Sequence, residues 1–168
     1  MKAFTCLSLT LYLFLSTGVC AHSETKSTQA INKLLDGLHI AASQANLDKY
    51  LGSFTETGVF MGTDDWERWT RPVTLDKYVS ERFEGGTGWT YQSVERNLIL
   101  SEDYNTAWFD EITVSEKWGR FRGTGVVVKQ NGHWKIAHYA MSFLVPNEAW
   151  EKISELSTKA FSDREKKN

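Results

Sequence analysis

Four consecutive stretches of β-branched and aromatic residues fill the second half of the chain, at positions 94–100, 106–117, 120–129 and 134–144. Their separators are short, with Glu102-Asp103 between the first two and Asn131-Gly132 between the last two. Asn-Gly is the more telling, because both central residues of a type I′ turn sit at positive φ and this pair accepts that geometry readily. Strands joined so tightly form an antiparallel meander. Whatever precedes them must cover one face of the resulting sheet.

What precedes them is helical. Ile31, Leu34, Leu35, Leu38, Ala42 and Ala45 recur at helical spacing, with Ser27 or Thr28 placed to cap the start. Asn46, Leu47 and Asp48 open a second, shorter helix through Tyr50, Leu51 and Phe54, ended at Thr57-Gly58. Val59, Phe60 and Met61 make a short strand running into Gly62-Thr63-Asp64-Asp65. Beyond Pro72 a third helix is expected from Thr74, its N-cap, through Leu75, Tyr78, Val79 and Phe83, stopped by Gly85, Gly86 and Gly88. After Pro146 and Asn147 a last helix carries Trp150, Ile153, Leu156 and Phe161 and gives way to a charged tail at 163–168, expected to fray. Helices first and a meander after them define an α+β domain with the helices on one face of the sheet. No internal repeat or second domain is visible.

Residues 1–21 read as a cleavable leader: Lys2, an apolar run from Leu7 to Leu15, and the small-x-small exit Val19-Cys20-Ala21, with Gly18 as an alternative site. The run is too short for a stable membrane anchor. Retention of Cys20 as a lipid anchor is disfavoured by Val19 before it. The expectation is export to the periplasm or medium, with one domain at 22–162 and no membrane association after cleavage. The only cysteines are Cys6 and Cys20, so the domain must hold together by its core and not by disulfides. About 147 residues suffice, since a domain of that size buries roughly two thirds of its unfolded surface. With 19 basic against 21 acidic residues, and no basic cluster outside the terminal Arg164, Lys166 and Lys167, nucleic acid is not an expected partner.

Local sequences sharpen the reading of the fold. The N-terminal half carries Phe54-Thr55-Glu56-Thr57-Gly58-Val59-Phe60, then Gly62-Thr63-Asp64 and Glu67-Arg68-Trp69. The C-terminal half carries Thr106-Ala107-Trp108-Phe109-Asp110-Glu111, Arg122-Gly123-Thr124-Gly125-Val126 and Gly132-His133-Trp134-Lys135-Ile136-Ala137-His138-Tyr139. In order and wording the chain resembles exported bacterial SnoaL-like proteins of the nuclear transport factor 2-like superfamily, and the last block is similar to the end of the calcium/calmodulin-dependent kinase association domain. The resemblance implies a cone: N-terminal helices on a strongly bent antiparallel sheet, a C-terminal helix, and a homodimer formed through the sheet. It implies no single reaction, because the superfamily spans isomerases, cyclases, dehydratases, transport factors and assembly modules. Relatives of the exported type often carry Gln in the last strand where this chain has His138.

In such a cone the cavity lies between the concave sheet and the first and third helices, so inward-pointing polar residues are the site candidates. Asp64 ends the first strand and either enters the cavity or caps the turn around Trp66. Glu111 sits among Trp108, Phe109 and Ile112, where a carboxylate needs either a raised pKa or a partner. Arg122 is the expected partner, as a structural ion pair or as a clamp for a ligand carboxylate. His138 alternates with Trp134, Ile136 and Ala140, as a satisfied core histidine or a catalytic one. Asp64, Glu111 and His138 are thus the catalytic candidates. Trp69, Tyr78, Trp89 and Arg122 are the ligand-binding ones, the aromatics serving as a cavity rim or as packing. His39, one helical turn beyond Leu35, either meets the cavity or marks a helix boundary.

Simple pairing about Asn131-Gly132 sets Gly125 beside His138 and Arg122 on the opposite face, and a bulge at Gly123 and Gly125 shifts this register by one. The histidines His22, His39, His133 and His138 lack metal spacing, no G-x-S-x-G elbow is present, and the mature chain has no thiol, so neither metal nor cofactor is expected. Two functions of different class follow. One is non-catalytic binding of a small, partly apolar or carboxylated ligand. The other is a cofactor-free isomerase or lyase of the ketosteroid isomerase or polyketide cyclase kind, with Asp64 or Glu111 as base and His138, Tyr78 or Arg122 stabilising an enolate. A homodimeric assembly module with a filled cavity is the third.

Overall fold

The computed structural model describes residues 16–167. Most of the expected leader, residues 1–15, lies outside the described residues, as does Asn168 of the tail. Helix α1 (Ser16–Ser43) starts well before the expected cap: Ser27 is buried within it and terminates nothing. Its apolar stripe packs as read, with Ile31, Leu35, Leu38 and Ala42 all buried. Each fully buried large aliphatic of this kind contributes about 1.5–3 kcal/mol. Helix α2 (Leu47–Gly52) is capped by Asn46, whose side chain accepts from the Lys49 amide at 3.1 Å. Phe54 lies outside that helix and opens strand β1 (Phe54–Met61), which is longer than expected and contains Gly58 in its interior.

A short strand β2 (Arg68–Thr70), not foreseen, pairs antiparallel with β1 and feeds α3 (Thr74–Phe83). Thr74 does not cap that helix. Its hydroxyl accepts from the Thr70 amide at 2.7 Å and so ties the helix start to the end of β2.

The meander follows the sequence reading closely: β3 (Gln92–Leu100), β4 (Thr106–Ser115), β5 (Gly119–Gln130) and β6 (His133–Phe143), each antiparallel to the next. Asn131 and Gly132 turn the last hairpin at φ of 51° and 81°, as a type I′ turn demands. Beyond the expected four strands, β1 joins β6 in parallel, so the sheet is mixed and runs β2-β1-β6-β5-β4-β3. A 3-10 turn at Asn147–Ala149 leads into α4 (Trp150–Glu165). This last helix buries no residue, leaving Trp150, Ile153, Leu156 and Phe161 exposed. It continues as helix through Arg164, where fraying was expected, because that guanidinium bridges Asp64 and Asp65 at 2.8–3.0 Å.

Two details of the sheet decide what faces the helices. Pairing between β5 and β6 follows the simple register from Lys129↔Trp134 to Val127↔Ile136 and then jumps to Val126↔His138, leaving Ala137 as the extra residue. The bulge is therefore in β6 and not at the glycines of β5. It reverses the alternation of the strand: Trp134 and Ile136 point inward before it, Tyr139 and Met141 after it. The glycines serve a different end. A Cβ on Gly123 would stand 2.3 Å from the Tyr139 hydroxyl, and one on Gly125 would meet the Phe109 ring at 2.7 Å. Their absent side chains are the space in which those two rings lie.

Candidate functional site

The inner face of the sheet, α1 and α3 enclose a cavity of about 140 Å³. Its walls are mostly aromatic, and the rings stack on one another in series. Tyr139 lies against Phe60 (centroids 5.7 Å apart), Phe60 against Trp69 (6.1 Å), Trp69 against Tyr78 (3.9 Å) and Tyr78 against Trp89 (5.7 Å). Each strand or helix supplies one member because β1, β2, β6 and α3 all turn their apolar faces to the same space. The inward row across the sheet reads Leu98, Phe109, Gly125, Tyr139, Phe60 and Trp69. Trp69, Tyr78 and Trp89, read as either rim or packing, thus line the cavity while also stacking on one another. Trp66 is not among the lining residues and is largely exposed.

The polar floor is centred on Glu111, fully buried in the middle of β4. Its carboxylate takes four donors. His39 Nε2 donates to Oε1 at 2.9 Å and the Tyr139 hydroxyl to the same oxygen at 2.7 Å, while Arg96 Nε and Nη2 donate to Oε2 at 2.9 and 2.7 Å. Burial alone would raise the Glu111 pKa. The hydrogen bond and charge of His39, the charge of Arg96 and the Tyr139 hydrogen bond outweigh it and hold the carboxyl down at about 2. Conversely, burial and the neighbouring Glu111 charge push the Tyr139 phenol well above its ordinary value. Arg96 is itself anchored from α1, donating to Asp36 at 2.9 Å and to the Asn32 side chain at 3.1 Å. A buried ion pair whose carboxylate takes four donors and whose guanidinium is anchored from a second side is the arrangement that offsets its own desolvation.

Arg96, and not Arg122, is therefore the partner of Glu111. Arg122 pairs across to Ile112 and Ser142 and is exposed on the outer face of the sheet. His138 is on that outer face too, opposite Val126 and Val59, because the bulge at Ala137 turned it out. Neither reaches the cavity, so the expected clamp for a ligand carboxylate does not exist there. Asp64 is also outside. It accepts from the Asp65 amide at 2.8 Å, as a turn-capping residue does, and the two Arg164 hydrogen bonds draw its pKa down. Of the three catalytic candidates only Glu111 is at the site, buried beneath His39 and Tyr139.

Tyr139, Tyr91 and Glu67 line the cavity without having been candidates, and His39, weighed as meeting the cavity or marking a helix boundary, does meet it. The position of His39, between Leu38 and Ala42 on a buried stripe, was signal enough. Arg96 carried a similar signal, since it shares the alternation of Leu98 and Leu100 in β3 and so points inward with them. Tyr139 had none, because its orientation depends on the bulge.

A family profile described as the SnoaL-like domain matches residues 31–146. Among curated proteins no sequence match is found. Solved structures similar to this chain include a domain of unknown function with a cystatin-like fold from Nostoc punctiforme (14% identity, 84% of this chain and 92% of that one, TM-score 0.66). A nuclear transport factor 2-like protein of unknown function from Pseudomonas putida is another (13% identity, 74% and 92%, TM-score 0.61). A function-unknown protein from Mycobacterium tuberculosis is a third (14% identity, 77% and 78%, TM-score 0.63). At these identities the likeness is one of fold.

Proposed function

The chain belongs to the SnoaL-like domain family of the nuclear transport factor 2-like superfamily, and on that footing we propose that it binds a small, compact, largely apolar molecule in the aromatic cavity. The observation that carries this reading is an open space of about 140 Å³ walled by stacked rings, with the His39 imidazole held at its floor by Glu111. A void of about 150 Å³ suffices for a benzene-sized guest. The cavity is not plugged by its own side chains, which argues against a pure assembly module. The test is native mass spectrometry of the purified protein followed by denaturing extraction, with ligand-detected NMR against ring-sized fragments. Recovery or binding of a small molecule, lost in Tyr78→Ala, is expected. An empty protein that binds none of the fragments sinks the idea.

A second reading rests on the Glu111–His39 pair. A carboxylate only accepts, so Nε2 of His39 carries the hydrogen that faces Glu111, and in the uncharged tautomer Nδ1 is the nitrogen with a free lone pair. In this reading His39 takes a proton from a carbon next to a carbonyl of the bound molecule and returns it at another carbon, or lets a β-hydroxyl leave as water. Glu111 orients the ring and balances its charge; it is not the base, since its lone pairs are already engaged. Deuterium incorporation from D2O into a bound ketone, abolished by His39→Gln, is the expected signature.

Two further elements belong to the proposal. The leader-like residues 1–21 support export to the periplasm or medium. A row of exposed apolar side chains on the outer face of the sheet, among them Ile99 and Trp108, supports a homodimer through that face.

A further inference from the structure

Among the described residues, Glu67 is the one carboxylate that lines the cavity directly, and no Lys or Arg lines it. It enters from the segment between β1 and β2, where Oε2 accepts from the amides of Thr63 at 2.8 Å and Asp64 at 3.1 Å. Those two bonds hold the carboxylate in place. Among the described residues no cation pairs with it, and Oε1 meets no donor. Every other carboxylate near the cavity is compensated: Glu111 by Arg96, Asp64 and Asp65 by Arg164. The charge of Glu67 reaches the phenols of Tyr78 and Tyr91, which burial and then that charge raise, with Arg82 opposing it at Tyr78. An unpaired carboxylate beside stacked aromatic rings is the environment that stabilises an organic cation, through a charge-assisted hydrogen bond at one end and ring contacts over the rest.

We propose that the ligand of this cavity is an amine, bound as its ammonium form, with the N–H directed at Glu67 Oε1 and its apolar body among Trp69, Tyr78 and Trp89. This rests on the binding role proposed above and narrows it. The site repels carboxylates and phosphates, contrary to the carboxylated ligand that Arg122 suggested.

Three probes that share one ring and differ in charge decide the matter: benzylamine, benzyl alcohol and benzoate, titrated calorimetrically into the full protein at neutral pH. Benzylamine is expected to bind roughly tenfold more tightly than benzyl alcohol, with benzoate weakest. The preference is expected to fall off with added salt. In Glu67→Gln, which keeps an oxygen for the two amides, the ratio of amine to alcohol affinity is expected to drop to about one. Benzoate binding as well as benzylamine, or a preference for the amine that survives Glu67→Gln, overturns the assignment to Glu67. If the alcohol binds and the amine does no better, only the amine proposal fails. If none of the three binds, the cavity's binding role fails with it.

Discussion

Glu111 is a residue whose surroundings set its chemistry. Its folded pKa, about 2, lies below the ordinary value of 4.5, so the carboxylate stabilises the fold fully above pH about 4.5 and loses that contribution as pH falls toward about 2. Glu111→Gln is therefore expected to cost on the order of 3 kcal/mol in urea unfolding at neutral pH, with the gap to the parent narrowing across that acid window. A gap independent of pH would mean that the residue acts through packing alone. Tyr139→Phe removes one of four donors and is expected to cost about 1.5–3 kcal/mol, as a hydrogen bond to a charged group does. That a buried Glu111 would take either a raised pKa or a charged partner was legible from its place among Trp108, Phe109 and Ile112. Which cation was not, because Arg96 and Arg122 both stand across from β4, on different strands, and only strand alternation separates them.

At the scale of elements, the bulge in β6 and the glycines of β5 together make the floor of the cavity. Tyr139 reaches Glu111 by lying over Gly123, and it points inward only because Ala137 is extra. Gly123→Ala is expected to cost about 1–3 kcal/mol by overpacking, and less in a Tyr139→Phe background, where the hydroxyl that it would strike is gone. Additive losses in thermal unfolding would show that the two do not share the space. Deleting Ala137 is expected to leave the floor in place: the remaining residues of β6 then alternate without a bulge, with His138 still opposite Val126 and Tyr139 still opposite Gly125, and the near-UV circular dichroism of the packed rings is expected to be retained. The strands themselves were readable from period-two patterning and turn residues. The bulge was not, since nothing in Ala137 or its neighbours marks it, and the glycines that suggested one serve instead as clearance for Tyr139 and Phe109.

For the whole molecule, the open question of chemistry is where its uncovered apolar surface goes. Ile99, at 55% exposure, pairs across to Trp108, at 47%, and Val126 continues the row to His138. A second copy on this face is the proposed cover. Trp108→Lys is expected to shift sedimentation from dimer to monomer while ring-sized ligands still bind, because the cavity opens on the other face. A parent protein that sediments as a monomer would sink the dimer.

The helices and the four-strand meander in their order, the α+β class, the last hairpin and the aromatic supply of the cavity were all determined by the sequence itself, because each depends on spacing or turn chemistry within a few residues. The membership of the site was decided by tertiary structure alone. One inserted residue in β6 turned His138 out and Tyr139 in, α1 brought His39 to a carboxylate 72 positions away, and β3 supplied the arginine that keeps it charged. Such pairings depend on the register between distant strands and on which polar groups burial forces together, and neither is a property of any local stretch of chain.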